Sequence, residues 1–218
     1  PENIGVALDL DEASPHESPV LGIAVFTGGG LYYEEASDMV KDEALKKALL
    51  DEKIRKSAFD SKLLEVGLTR LGIRSSLPSS DLLLEAYLLD SSCGDALSAA
   101  AYFGVQLEDE APDLLSPCRE KRTATLAYLA LRKEGEARKG LESNSSYALY
   151  QSVELPLAHI LAKMELEGFP AHKEILLEIG RDFREKEKRA EQDTYSLAGH
   201  PFNIASPKQV GEVLFTEM

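Results

Sequence analysis

The chain has 218 residues, 44% of them hydrophobic and 28% charged, so it can bury an ordinary core. Its formal net charge of −14 argues against a freestanding nucleic-acid binder, because such proteins neutralise phosphates with a basic surface. No segment stays apolar over the ~20 residues that a membrane-crossing helix needs. Cys93 and Cys118 form no C-x-x-C pair and suit a reducing cytoplasm. The acidity is uneven. Residues 151–218 hold 8 Lys+Arg against 12 Asp+Glu, leaving 16 against 26 upstream.

In chain order, Pro1 leads straight into a strand, and the sequence reads as a piece of a longer protein. Residues 4–10, 20–27 and 31–34 are apolar, partly β-branched and separated by Gly or Pro, which predicts three strands. Gly28-Gly29-Gly30 lacks a following Lys-Ser/Thr and precedes a strand, so it reads as a hairpin turn and not as a phosphate cradle. Residues 37–50 predict a helix with Met39, Val40, Leu45 and Leu49 inward. An extended piece at 54–59 precedes a helix that starts near Asp60 and stops at Gly72. Asp81 reads as the cap of a helix over 82–89. Helices over 95–103 and 119–131 follow, joined by an acidic, proline-marked link at 108–117. Strands in a meander followed by helices predict an α/β sheet covered by helices. A polar run at 142–146 marks a boundary, giving units of 1–145 and 146–218.

The last third carries the most specific wording. Val153, Leu157, Ile160, Leu161 and Met164 recur at helical spacing, and Gly168 ends the run. Residues 175–197 are long enough for about six turns at ~3.6 residues each. Ser206 and Pro207 then mark another helix start, with Val210, Val213 and Leu214 inward. Val153, Glu154, Pro156, Leu157, Leu161, Met164, Glu165 and Gly168 match V-E-x-P-L-x-x-x-L-x-x-M-E-x-x-G. Tyr195, Leu197, Ala198, Gly199, Phe202, Asn203, Ile204, Ser206, Pro207, Lys208, Gln209, Leu214 and Phe215 complete the series. This stretch closely resembles the opening of the polymerase domain in bacterial family A DNA polymerases, the DNA polymerase I family. His172 departs from it, standing where the family usually carries an acid.

The resemblance implies that the preceding residues form a ribonuclease-H-like 3′–5′ exonuclease domain. In that family four carboxylates from three motifs hold two divalent ions ~3.5–4 Å apart for phosphodiester hydrolysis. The first motif, D-x-E on the opening strand, is met by Asp9-Leu10-Asp11, whose period-two spacing points both carboxylates to one face. Aspartate replaces glutamate there, and a solvated strand end is the competing reading. The second motif resembles H-N-x-K-F-D, and Asp60-Ser61-Lys62-Leu63-Leu64 puts Leu64 where the ligand aspartate belongs. Asp60 reads as an N-cap for its own helix. The third, Y-x-x-x-D, has no match. The segment at 131–141, where that helix is expected, offers Glu134 and Glu136.

Two of four ligands are therefore missing, and Ser57 to Lys62 and Asp81 to Asp90 resemble relatives whose exonuclease domain has lost activity. The expectation is a scaffold without catalytic residues, in which Asp9, Asp11, Asp60 and Leu64 are vestigial and no cofactor is expected. The parent polymerase would use Mg²⁺ and synthesise DNA in the cytoplasm, at the nucleoid, through palm and fingers absent here. Its partners would be duplex DNA and the rest of that polymerase domain, with no membrane. Asn203, Ser206 and Lys208, at a helix start with free N–H groups, are the candidate duplex contacts. A simple capped helix is the competing reading, and the charged run at 181–191 reads as a solvated face. Two alternatives stay open. One is a weak metal-dependent exonuclease using Asp9, Asp11 and a stand-in such as Asp60 or Glu134. The other is a non-catalytic nucleic-acid-binding module.

Overall fold

A computed structural model of the chain describes residues 2–11, 16–107 and 118–217. The link at 108–117 lies outside them. Two compact units divide the chain, Pro1–Gly168 and Phe169–Met218.

The first unit is built on a five-stranded mixed sheet of order β3-β2-β1-β4-β5. β1 (Asn3–Leu10) lies at its centre, antiparallel to β2 (Val20–Thr27) and parallel to β4 (Arg55–Ala58). β3 (Gly30–Glu35) extends one edge and the short β5 (Ser80–Asp81) the other. β1 is buried on both faces, which is why it reads as an apolar run rather than an alternation. Its pleat still sorts the side chains. Ile4, Val6 and Leu8 join one core cluster with Met39, Leu49, Leu64 and Leu68. Ala7 joins the opposite one with Leu82, Ala86, Ala99, Ala127 and Leu129.

Helices supply both clusters. α1 (Ala36–Met39), α2 (Glu43–Leu50) and α3 (Ser61–Arg70) serve the first, and α4 (Leu82–Leu89), α5 (Ala96–Tyr102) and α6 (Cys118–Ser143) the second. The single helix expected over 37–50 is broken. The Asp42 side chain accepts from the N–H groups of Ala44 and Leu45 at 2.7 and 3.1 Å and starts a new helix. The helix expected over 119–131 instead runs unbroken to Ser143. Its small residues Ala124, Ala127 and Ala130 let it lie close on the sheet. At Gly5 of β1 the approach is so tight that a Cβ would stand 2.0 Å from the Ala127 carbonyl oxygen.

The chain breaks in the 142–146 run, with Ser145 at positive φ, but the first unit continues beyond it. α7 (Tyr147–Leu149) passes through a π-helical turn (Tyr150–Glu154) into α8 (Leu155–Glu167), which Gly168 ends at φ 73°. α8 packs on α3 through its small residues Ala158 and Ala162, helped by ion pairs. Glu165 accepts from Lys62 at 2.8 Å and lies 2.8 Å from His16 Nε2, while His159 Nδ1 lies 2.6 Å from Glu65. The apolar stripe noted in the sequence faces outward. Val153, Leu157, Ile160, Leu161 and Met164 are all exposed.

In the second unit α9 (Lys173–Ala198) ends at Gly199 in the left-handed region, and α10 (Pro207–Glu212) leads into a π-helical turn (Val213–Glu217). Val213 is buried, but Leu214 is exposed, which corrects its expected inward placement.

Candidate functional site

The C-terminal end of β1 opens into a cleft of about 730 Å³. Asp9, Asp11 and Asp60 line it, with Leu63, Leu97, Arg119, Arg122 and Thr123 among the facing residues. The sheet register breaks between Asp9 and Leu10, so Asp11 follows the strand's end, yet both carboxylates reach the cleft.

Each is engaged by the protein. Asp9, almost wholly buried, accepts a hydrogen bond from the Tyr33 hydroxyl at 2.8 Å. Burial first, and then this bond, raise the Tyr33 pKa well above the usual phenol range. Gly22 makes the contact possible, since a Cβ there would lie 2.5 Å from the Tyr33 hydroxyl oxygen. Asp11 is held by Arg119 of α6, whose guanidinium donates to the Asp11 carboxylate at 2.9 Å and to its backbone carbonyl at 2.8 Å. The two bonds fix the arginine as a fork over the strand end.

Leu64 is not a cleft-lining residue. It is 2% exposed and belongs to the core cluster on the face opposite Ala7. Asp60 does reach the cleft. It sits at φ 59° as the N-cap of α3, accepting from Leu63 N–H at 3.0 Å. Burial and the neighbouring Asp81 charge push its pKa up to about 6. Asp81 is wholly buried and caps α4 by accepting from Leu83 and Leu84 N–H at 3.0 and 3.3 Å. It also accepts from the backbone N–H and hydroxyl of Ser61 at 2.7 and 2.6 Å, tying the starts of two helices together. Burial raises the Asp81 pKa too, and the Ser61, Leu84 and Leu83 donors oppose that rise, so the two carboxyls titrate as a pair.

The third-motif position falls elsewhere than expected. Residues 131–141 form the far part of α6, and Glu134 accepts from Arg55 and Ser57 of β4, both at 2.8 Å. Arg55 and Ser57 pair with Asn3 and Gly5, at the end of β1 remote from Asp9. Four residues of strand, ~13 Å at ~3.3 Å each, separate Gly5 from Asp9, so Glu134 cannot serve as a stand-in ligand. The start of α6 faces the cleft instead, with Arg119 and Thr123 at the four-residue spacing of a Y-x-x-x-D motif. Lys62, the matched lysine of the second motif, is paired with Glu165 of α8. Among the described residues no group of three or more His, Cys, Asp or Glu side chains is placed to hold a metal ion.

Sequence reading passed over Tyr33 and Arg119. Neither had a local signal, because each acts on a residue 24 or 108 positions away. Of the candidate DNA contacts, Asn203 accepts from Ala205 N–H at 3.0 Å and Ser206 from Gln209 N–H at 3.5 Å. Asn203 and Lys208 are exposed.

A mixed sheet with an acidic pair at the end of its central strand, enclosed by helices on both faces, defines a ribonuclease-H-like domain with a helical extension. Residues 6–106 match the family model described as DNA polymerase I, ribonuclease H-like domain. Across the whole chain, 34% of residues are identical to DNA polymerase I of Bacillus caldotenax, in an alignment spanning 26% of that relative. DNA polymerase I of Bacillus subtilis is 32% identical over 93% of this chain and 24% of its own. A structure of the POL domain of Pol1 from M. smegmatis, in complex with DNA primer-template and dNTP, superposes with a TM-score of 0.79. It is 25% identical and covers 99% of this chain and 37% of that one. The chain belongs to the DNA polymerase I family, as a region covering its ribonuclease-H-like 3′–5′ exonuclease domain. It spans about a quarter of the length of those curated relatives.

Proposed function

We propose that this region is a non-catalytic scaffold within a DNA polymerase I. Its exonuclease-like unit, residues 1–145 in our division, hydrolyses no DNA, and residues 146–218 supply the first helices of the polymerase domain. Synthesis, its Mg²⁺ and the palm and fingers belong to the remainder of such a polymerase.

The observation that carries this reading is the Arg119 guanidinium on Asp11, where a nuclease of this fold would place a cation. Asp9 is already bonded to Tyr33, and the second-motif ligand position is the core residue Leu64. Such a donor set does not fit a paired-cation site, which needs several free carboxylate oxygens. The exposed apolar faces of α8 and α9 are the surfaces the rest of the polymerase domain would cover. Asn203, Ser206 and Lys208 would approach the duplex backbone there, as a helix start with its donors outward can.

One observation favours the weak-nuclease alternative, namely that Asp60 shares the cleft with Asp9 and Asp11. Incubating the chain with 3′-labelled single strands and Mn²⁺ decides between the two. The scaffold reading expects no release above background in wild type or in Asp9→Ala. Metal-dependent release that Asp9→Ala abolishes would overturn it.

A further inference from the structure

Beneath the vestigial cleft lies a second set of acidic groups that the scaffold reading does not use. Glu85, on α4, is 2% exposed, and its Oε2 has no hydrogen-bond partner in the protein. Its carboxyl faces the hydroxyl of Tyr150, which is wholly buried. The same hydroxyl accepts from the Asp81 backbone N–H at 2.7 Å. Tyr150 opens the π-helical turn that leads into α8. One phenol therefore joins the end of the sheet, the start of α4 and the start of the segment that leaves them.

Burial and hydrogen bonding decide the charge state of this group. A carboxylate taken from water without a full set of donors is costly, and the usual outcome is that it keeps its proton. The titratable groups facing Glu85 are Asp81 at the β5–α4 junction, Tyr150 from the π-helical turn and Glu134 from α6. Asp81 and Glu134 oppose a negative charge, and the Tyr150 hydroxyl favours one. Burial outweighs all of them and pushes the Glu85 pKa up to about 8.

We propose that Glu85 is neutral in the folded chain and that its proton is the condition for Tyr150, and with it the segment from Tyr147 to Glu154, to stay docked on β5 and α4. Loss of the proton puts a buried charge beside Asp81 and weakens the dock. The folded pKa is raised, so the group's contribution is full below its ordinary value near 4.5. It falls as pH rises towards 8 and is level beyond that.

Amide hydrogen exchange of residues 147–154 in the intact 218-residue chain tests this, after correction for the intrinsic pH dependence of exchange. Protection in wild type is expected to fall at least about tenfold between pH 6 and pH 8. In Glu85→Gln, which mimics the neutral carboxyl, it is expected to stay flat. Protection that is level in wild type, or that falls equally in Glu85→Gln, overturns the proposal. The ¹³C titration of the Glu85 carboxyl in wild type reads the same claim without a variant: a midpoint near 8 supports it, and one in the ordinary glutamate range overturns it.

Discussion

At the scale of single residues, both carboxylates at the end of β1 are engaged by side chains from other elements. Asp9 is the acceptor for a phenol and Asp11 the acceptor for a guanidinium. Leu64 is committed to the core, and this sets a limit on repair. Leu64→Asp would bury a carboxyl among Leu8, Leu68 and Val20 and is expected to cost roughly 3 kcal/mol in urea unfolding at pH 7. It should confer no Mn²⁺-dependent nuclease activity, and activity appearing in that variant alone would contradict the placement. Asp60→Asn acts in the other direction. Asparagine caps helices as well as aspartate does and tolerates the left-handed region, while the repulsion from Asp81 is removed. A gain of about 1 kcal/mol at pH 7 is expected, shrinking as pH falls through 6, where wild-type Asp60 takes up its proton.

Two helix starts are tied to one buried carboxylate. α3 and α4 both begin on Asp81, and α4 presents Glu85 to Tyr150. Asp81→Ala would remove the cap of α4 and leave the Ser61 N–H and hydroxyl without their acceptor. It is expected to destabilise by about 3 kcal/mol, read as a lower urea midpoint at unchanged slope. β2 and β3 are coupled to the cleft through Gly22. Gly22→Ala would drive a methyl into the Tyr33 hydroxyl and the Glu34 carbonyl oxygen, 2.5 and 2.6 Å from the new Cβ. A loss of about 2 kcal/mol is expected, with the phenol displaced from Asp9 and its raised pKa relaxing towards the ordinary value in an ultraviolet titration.

Over the whole molecule, charge and surface pull in different directions. A net charge of −14 repels duplex DNA, and the candidate contacts offer a single cation, Lys208. The 218-residue chain is expected to bind duplex with a Kd of roughly 10⁻⁴ M or weaker at physiological salt, measured by fluorescence anisotropy. Micromolar binding with a steep salt dependence would instead favour the nucleic-acid-binding alternative. Exposed apolar side chains are abundant. Phe169 is 90% and Phe215 89% exposed, and Ile175, Leu176, Leu177 and Phe183 on α9 are open to solvent.

Strand order along the chain, the two capped helix starts at Asp60 and Asp81, and the family were all legible in the sequence. Each rests on neighbours in the chain: short apolar, partly β-branched runs, a side chain that reaches a backbone N–H two or three residues on, a wording repeated in order from Val153 to Phe215. What Asp9 and Asp11 are bonded to was not legible, because Tyr33 and Arg119 meet them only when a sheet edge and a distant helix start are brought together. The same holds for the outward stripe of α8, since helical periodicity reports an apolar face but not what covers it. Only the folded chain could place Glu134 at the wrong end of β1, for sequence distance along α6 says nothing about which end of a strand it lies against.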